Sequence, residues 1–363
     1  MEKKNYLHQL DSLRGIAAIF VVVLHFQAYL TPGIGKIISE FTQSIHRSYI
    51  LVDMFFILSG FVMALTYTKS FEKEIKLKNY FSFMKKRFIK LYPLHIITFL
   101  ILVVLHRVIL PQLDIIEDSF VLNRNNFHMM TNLFLLQSSG LGWGDCINCS
   151  SWNYPSWSIS VEWLCYFSIP MLILFVKRFN NLSFLFIGFS YILFYFLIER
   201  VVGNTDVLTI PGIIRCLIGM FFGLSIYHHL YLKFSTPKWF FYITFCLAFF
   251  GLHFIPIDTV VILLMGLMII ASANLRIKTF LNSSPLLWLG KRSFSIYMTH
   301  VIVQDIVSSI YRYVYKQSIW DISLSSQLAV FIVSVVLVLI ISELSYRFIE
   351  VKLHRFLRTK LVG

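Results

Sequence analysis

Apolar residues in this chain occur in runs long enough to cross a bilayer, separated by short polar segments. The runs cover residues of about 11–30, 49–68, 92–110, 160–176, 183–199, 210–230, 239–254, 257–273, 293–313 and 326–348. A helix needs about 20 predominantly apolar residues to span the hydrocarbon core. The pattern therefore predicts an all-α, polytopic integral membrane bundle of about ten transmembrane helices.

The polar segments between the runs differ in charge. If the N-terminus is cytoplasmic, 23 of the 32 Lys and Arg residues fall in inside segments and six in outside segments. Lys and Arg accumulate in cytoplasmic loops. We therefore expect both termini in the cytoplasm. This distribution also accounts for most of the formal net charge of +14 and argues against a nucleic-acid partner.

Composition supports one membrane domain. Of the 363 residues, 57% are hydrophobic and 14% are charged, whereas a soluble protein has about 25% charged residues. The N-terminal residues lead into a helix too long for a cleavable signal peptide. We expect a single transmembrane domain over residues 1–363, with an extracytoplasmic loop at about 111–159 and no appended soluble domain.

The predicted outer loop contains a Cys-x-x-Cys motif formed by Cys146 and Cys149. An oxidising compartment outside the membrane would permit a disulfide there. Metal or redox chemistry is the alternative, but neither a second cysteine pair nor a nearby histidine cluster supports zinc. We therefore predict no metal site and leave the disulfide open.

Ionisable residues inside spans are functional candidates by default. Arg14 and His25 in the first span are eleven residues apart, which places them on one helical face about 16 Å apart along the axis. Asp53, Arg215 and Glu162 come from three other spans, at the same outer depth as His25. Such residues can simply pair or snorkel, but four at one level predict a polar chamber if their helices converge.

The inner half of the membrane has a second set of candidates. Arg14 is expected to face "FMKKRFIKLYP", where Arg87 and Lys90 stand at a helix entry. These cations suit an anionic, phosphate-rich ligand, although an ordinary basic cytoplasmic loop is the alternative. His300 lies nearer the middle of the ninth span, and an isolated histidine there could also hydrogen-bond a neighbouring helix.

The outer set of histidine and carboxylates and the inner set of cations together suggest one reaction. A histidine can take a proton from a hydroxyl nucleophile while a carboxylate assists it, and inner cations suit a phosphate-rich donor. Acyl transfer from a cytosolic CoA thioester to an extracytoplasmic alcohol fits this arrangement. The alternative from another class is a transporter or flippase for a sugar-linked or anionic substrate, with the buried charges lining its path.

Several blocks resemble the membrane-bound acyltransferase family 3. "LDSLRGIAAIFVVVLHF" matches the first-helix pattern of an arginine, ten residues and a histidine. "VDMFFILSGF", "KKRFIKLYP", "NYPSWSISVEW", "IIRCLIGMFFG" and "SFSIYMTH" are similar to later family blocks in the same order. One position departs from the pattern, because Lys90 replaces the second arginine of the third block and loses its bidentate fork.

The resemblance implies an acyltransferase of the bacterial inner membrane that uses an acyl-CoA, most often acetyl-CoA, as co-substrate without a permanently bound cofactor. It implies a glycan or lipid-linked glycan acceptor, such as O-antigen or exopolysaccharide, besides membrane lipids as partners. We expect His25, Glu162 and Asp53 in catalysis. We assign Arg14, Arg87, Lys90 and His300 to donor binding, and Arg215, Trp157, Ser160 and Asn153 to the acceptor or chamber.

Overall fold

The computed structural model describes residues 7–113, 126–141, 151–203, 205–206, 209–231, 233 and 235–361, without the side chains of 179–187, 191, 209 and 210. Throughout these described residues the regular structure is helical, and they contain no β-strand. This confirms the all-α fold class.

The described residues contain fourteen α-helices, of which Leu110–Gln112 is a three-residue continuation beyond Leu77–Val104; the other thirteen are numbered here. They are α1 (His8–His25), α2 (Pro32–Phe41), α3 (Leu51–Phe71), α4 (Leu77–Val104), α5 (Asn126–Leu133), α6 (Trp157–Tyr166), α7 (Ile169–Val202), α8 (Thr209–Leu230), α9 (Lys238–Phe254), α10 (Asp258–Ala273), α11 (Ser284–Tyr315), α12 (Leu324–Ser345) and α13 (His354–Leu361). Wider π-helical turns follow α1, α4 and α12, at Phe26–Leu30, Leu105–Ile109 and Tyr346–Leu353.

Among the described residues, five helical stretches are long and apolar enough to cross a membrane, or six if one bent pair counts as a span. The five are His8–Leu30, His46–Phe71, Leu77–Gln112, Pro211–Leu230 and Leu324–Leu361. Two shorter apolar helices, α9 and α10, coincide with the seventh and eighth predicted spans. The chain is therefore a multi-pass membrane protein, while the count of ten and the cytoplasmic termini stay predictions.

One helix boundary differs from the sequence pattern. The pattern predicts separate spans at 160–176 and 183–199, but the chain bends by 58° between Tyr166 and Ile169, and α7 then extends from Ile169 to Val202. Pro170 lies in the first turn of α7, where proline is well suited to start a helix. The segment around Lys177 contains neither glycine nor proline and continues the helix.

Close helix contacts at glycines hold the centre of the bundle together. A Cβ atom added to Gly15 of α1 would lie 2.6 Å from the backbone nitrogen of Gly290 in α11, and one added to Gly290 would meet the carbonyl of Asp11. Small residues allow helix backbones to approach closely in a membrane. The result is a tight α1–α11 pair whose helices each carry one of the candidate histidines.

The predicted outer loop is described only in part. Its apolar stretch forms α5, which packs against α4 through a hydrogen bond of 3.0 Å from the Tyr92 hydroxyl to the Leu133 carbonyl. Cys146 and Cys149 lie outside the described residues, so the disulfide remains open.

Candidate active site

Two histidines from opposite ends of the chain meet in the structure. Nδ1 of His25 lies 2.7 Å from Nε2 of His300, and the two imidazole planes are within 8° of parallel. His300 is fully buried, whereas His25 is partly exposed. The pair joins α1 to α11, and the Gly15–Gly290 contact fixes the approach of these helices.

The local backbone places His25 at a transition in helix geometry. His25 is the last residue of α1, and the π-helical turn Phe26–Leu30 begins directly after it. Such wide turns inside helices are frequent at functional sites. The wider turn breaks the regular α-helical spacing just beyond the histidine.

Tyr154 packs beside the histidine pair. Its ring stands edge-on to His25, with centroids 4.7 Å apart, and lies 6.2 Å from the ring of His300. The Tyr154 hydroxyl donates to Oε1 of Gln304 at 2.9 Å. Gln304 thereby fixes the tyrosine ring that limits the movement of the His25 imidazole.

The hydrogen bonds of His300 indicate where the protons reside. Its Nδ1 lies 3.3 Å from the carbonyl oxygen of Ile296, and a carbonyl can only accept. With Nδ1 donating there, Nε2 of His300 accepts the proton of His25 Nδ1. The Nε2 atom of His25 then carries the free lone pair that a general base requires.

A cavity of about 600 Å³ opens beside His25. It is lined by Leu24, His25, Gln27, Ala28, Tyr29, Pro32, Gly35, Lys36, Ser39, Thr42, His46, Tyr49 and Asp206. The cavity therefore places the partly exposed histidine next to a space that can hold a second molecule.

Asp53 and Arg215 form an ion pair in which both side chains are fully buried. The guanidinium Nε and Nη2 atoms donate to the two carboxylate oxygens at 2.7 and 2.6 Å, and Tyr195 also donates to Asp53. Nη2 of Arg215 further donates to the Tyr49 carbonyl at 3.0 Å. The structure thus joins α3, α7 and α8 through two of the predicted chamber residues, and neither of the two lines the cavity.

Glu162 belongs to a separate polar cluster. Its Oε1 atom accepts hydrogen bonds from Ser59 Oγ at 2.5 Å and from the Tyr166 hydroxyl at 2.7 Å. Arg87 lies over the Tyr166 ring and donates to the Tyr67 hydroxyl at 2.7 Å. Glu162, predicted for catalysis, and Arg87, predicted for donor binding, are therefore linked through Tyr166.

The three basic residues predicted to bind the donor have different partners. Arg14 makes a long 3.5 Å contact with Asp11 on its own helix and keeps 26% of its side chain exposed. Lys90 pairs with Glu350 at 2.7 Å, and Ser295 donates to the other oxygen of that carboxylate. Of the three, Arg14 and Lys90 retain exposure for a ligand, whereas Arg87 is mostly enclosed by aromatic rings.

The remaining predicted chamber residues are engaged in packing. Asn153 donates to the Met298 carbonyl at 2.9 Å, and Ser160 donates to the Leu135 carbonyl at 2.8 Å. Trp157 lies beneath Arg215, with 5.6 Å between the guanidinium carbon and the ring centroid. Asn153 and Ser160 have no exposed surface, and none of the three residues lines the cavity.

The sequence pattern identified both histidines but missed Tyr154 and Gln304 beside them, and Tyr195, which donates to Asp53. Tyr154, Gln304 and Tyr195 carry no charge, so a search for ionisable groups inside spans passes over them. The position of Tyr154, one residue after Asn153 in the block "NYPSWSISVEW", was the available signal.

Comparison with known proteins places the chain in a family. A model described as "Acyltransferase domain" matches residues 7–346. Acyltransferase MdmB of Streptomyces mycarofaciens is 31% identical over 46% of this chain and 38% of its own length. A protein of Staphylococcus aureus strain COL, provisionally named as an O-acetyltransferase, is 25% identical over 96% of this chain and 57% of its own. No solved structure matches the chain significantly.

A third relative, protein 2 in the picA locus of Rhizobium radiobacter, is 36% identical over 24% of this chain and 39% of its own length. The chain thus spans at most 57% of the length of these three relatives. The family model nevertheless covers nearly all of the sequence, including both histidines. The chain therefore belongs to the acyltransferase family 3 that its motifs resemble.

Proposed function

We propose that this protein moves an acyl group, most simply acetyl, from acyl-CoA to a hydroxyl of a glycan at the outer side of a bacterial inner membrane. The hydrogen bond between His25 and His300 at the edge of the cavity carries this proposal. It orients one imidazole so that its free nitrogen can receive a proton, which is the requirement for activating a hydroxyl.

The chemical step follows from this orientation. Nε2 of His25 takes the proton of the acceptor hydroxyl as the oxygen attacks the thioester carbonyl carbon. The new C–O bond forms, the C–S bond breaks, and the thiolate leaves with the proton returned by the imidazolium. His300 is a positioning residue here, because its Nε2 atom accepts a hydrogen bond from Nδ1 of His25 and stabilises the charged His25 ring.

The donor is proposed to enter from the basic face of the bundle. Arg14 and Lys90, both partly exposed, are suited to the phosphates of CoA. The cluster of Glu162, Ser59, Tyr166 and Arg87 would then border the thioester arm between that entrance and the histidines. Asp53 and Arg215 act in this account by holding α3 against α8, because their ion pair is closed to solvent.

The proposal is tested in proteoliposomes with acyl donor and acceptor on opposite sides. Acetyl-labelled [14C]acetyl-CoA is enclosed, and p-nitrophenyl β-D-glucopyranoside and p-nitrophenyl β-D-galactopyranoside are added outside. We expect labelled ester to form outside only when the protein is present. Movement of intact acetyl-CoA or glycoside across the membrane without ester formation would instead favour the transporter.

A pair of variants distinguishes binding of acetyl-CoA at Arg14 from a general effect of removing one positive charge. Arg14→Ala should raise the KM for acetyl-CoA, whereas Lys36→Ala, at the other end of the α1–α2 segment, should leave that KM unchanged. Equal effects of the two substitutions on the KM for acetyl-CoA would contradict the placement of the donor at the Arg14 end.

A further inference from the structure

One wall of the cavity beside His25 is a single helix face. Pro32, Gly35, Lys36 and Ser39 of α2 all line it, and their spacing of three, four and seven residues brings them onto one side of an α-helix. Ile34, on another side of α2, is buried. The amphipathic pattern of α2 thus presents its more polar side to the cavity.

Two contacts hold this wall in position. The backbone nitrogen of Gly33 donates to Oε1 of Gln327 at 2.8 Å, and Nε2 of the same glutamine donates to the carbonyls of Trp320 and Ile322 at 3.3 Å. A Cβ atom on Gly35 would lie 2.7 Å from the carbonyl oxygen of Gln27. The absence of a side chain at Gly35 lets α2 approach the π-helical turn that follows His25.

The lining combines aromatic rings with short polar groups. Tyr29 and Tyr49 are aromatic residues of the lining, and Lys36, Ser39, Thr42, His46 and Asp206 are polar ones. Ligand sites fix orientation with a few well-placed polar groups on a partly apolar wall. A sugar ring suits this lining, since its C–H face packs on aromatic rings while its hydroxyls hydrogen-bond at the edge. Beyond its single hydroxyl, a long-chain alcohol offers these polar side chains no hydrogen bond.

We infer that this cavity is the acceptor site, that it binds a sugar, and that the Pro32–Gly35–Lys36–Ser39 face of α2 selects which sugar hydroxyl reaches His25. The inference rests on the proposed function. It replaces the predicted acceptor residues Asn153, Ser160, Trp157 and Arg215, which lie outside this lining, with a face of α2.

The test compares bulky substitutions on neighbouring residues of the same helix. Ser39→Trp places a large ring in the cavity, and Glu40→Trp places it on an exposed residue outside the lining. Acceptors are the two p-nitrophenyl glycosides used above and n-octanol, with acetyl-CoA as donor. We expect Ser39→Trp to raise the KM for the glycosides by about tenfold or more, with the KM for acetyl-CoA unchanged and Glu40→Trp like wild type.

The possible outcomes separate a failure of the proposed acyltransferase function from a failure of the inferred sugar-binding acceptor site. A wild-type protein that transfers no acetyl group and consumes no thioester would contradict the proposed function. Wild-type transfer to n-octanol but to neither glycoside, or thioester consumption without transfer to a glycoside, would overturn the sugar acceptor alone. An unchanged glycoside KM in Ser39→Trp would likewise overturn the acceptor site. If Ser39→Trp fails to fold, Lys36→Gln replaces it. A raised KM for the glycosides in Lys36→Gln would then support the acceptor site, and an unchanged one would overturn it.

Discussion

At the residue scale, the proposed role of His25 depends on which of the two nitrogens, His25 Nδ1 or His300 Nε2, carries the proton of the His25–His300 hydrogen bond. The carbonyl of Ile296 fixes the tautomer of His300, and His300 in turn fixes that of His25. A histidine without a fixed tautomer presents the wrong nitrogen part of the time. In the proposed mechanism, the buried His300 thus contributes to the rate without contacting the acceptor.

This relay, meaning the two hydrogen bonds that connect the Ile296 carbonyl, His300 and His25, predicts different kcat values for two substitutions of His300. His300→Gln retains a side-chain oxygen that can accept from His25 Nδ1, whereas His300→Ala removes the acceptor. We expect His300→Ala to lower kcat by about 10²-fold, the scale of loss from misplacing a catalytic group, and His300→Gln to recover part of it. Acetyl transfer in detergent, with KM for acetyl-CoA as the control, measures both.

If His300 instead bound the donor, as the sequence suggested, both variants would raise the KM for acetyl-CoA with little effect on kcat. Equal kcat values for the two variants would also contradict the relay. The pattern of kcat against KM therefore separates positioning from donor binding.

The ion pair of Asp53 and Arg215 gives a second prediction. Removing Asp53 takes two short hydrogen bonds from the buried Arg215 and leaves it the longer 3.6 Å contact with Asp206. Breaking a buried ion pair costs about 3–5 kcal/mol, so Asp53→Ala should be strongly destabilised. The double variant Asp53→Ala, Arg215→Met should be more stable than Asp53→Ala alone. Thermal unfolding in detergent provides the comparison. Wild-type stability in Asp53→Ala with lost activity would restore Asp53 to the predicted catalytic role.

The sequence identified the ionisable residues within the spans better than it identified their partners. Asp53, Arg215, His25 and His300 all stand out as ionisable groups in apolar runs. Which of them pair depends on how four helices turn and cross, and helical periodicity within one segment contains no such information. His300 was consequently assigned to the donor, although it lies against His25.

At the element scale, the α1–α11 pair sets the distance between the two histidines. The helices approach at Gly15 and Gly290, where added side-chain atoms would overlap backbone. Backbone cannot give way as a flexible side chain does, so a larger residue must separate the helices. Spreading of this pair would also lengthen the bond between the imidazoles.

Gly290→Ala should therefore lower both stability and activity. We expect a loss of about 1–3 kcal/mol, the usual range for overpacking, together with reduced acetyl transfer. Gly188→Ala is the matched control, because a Cβ there meets no atom of the described residues within 4 Å. Thermal unfolding and transfer rates of the two variants are compared. Equal values for them would show that the close approach does not set the site geometry.

Helix existence was predictable, but one boundary was not. A run of apolar residues shows where a helix can lie in lipid, and each predicted span overlaps described helix, although 160–176 is divided between α6 and α7 and 183–199 lies inside α7. The bend between Tyr166 and Ile169 interrupts an apolar run, and no charged residue marks it. Conversely, Lys177 and Arg178 suggest a loop, yet their backbone continues α7.

At the scale of the whole molecule, the account needs the two ends of the bundle to face different compartments. The α2 cavity, which is the candidate acceptor site, lies at the opposite end of its helices from the candidate donor site. The basic end at α13 lies at the opposite end of its helices from the candidate acceptor site. The charge distribution predicts that the basic end is cytoplasmic. The described helices fit this orientation without testing it.

Cysteine labelling tests the orientation. In a cysteine-free background, Gln43→Cys near the cavity and Thr359→Cys in α13 both place a thiol at an exposed residue. A membrane-impermeant maleimide added to intact inner-membrane spheroplasts should label Gln43→Cys and leave Thr359→Cys unlabelled until the membrane is opened. Labelling of both from outside, or of Thr359→Cys alone, would contradict the predicted topology.

The role of His25 in acetyl transfer is the most direct measurement of the central claim. His25→Ala and the control His8→Ala, an exposed histidine on the same helix, are reconstituted at equal folded amounts, and transfer from [14C]acetyl-CoA to a glycoside is followed. The account predicts at least about a 10²-fold lower kcat for His25→Ala, as expected on losing a general base, and wild-type turnover for His8→Ala. Wild-type turnover in folded His25→Ala would contradict it.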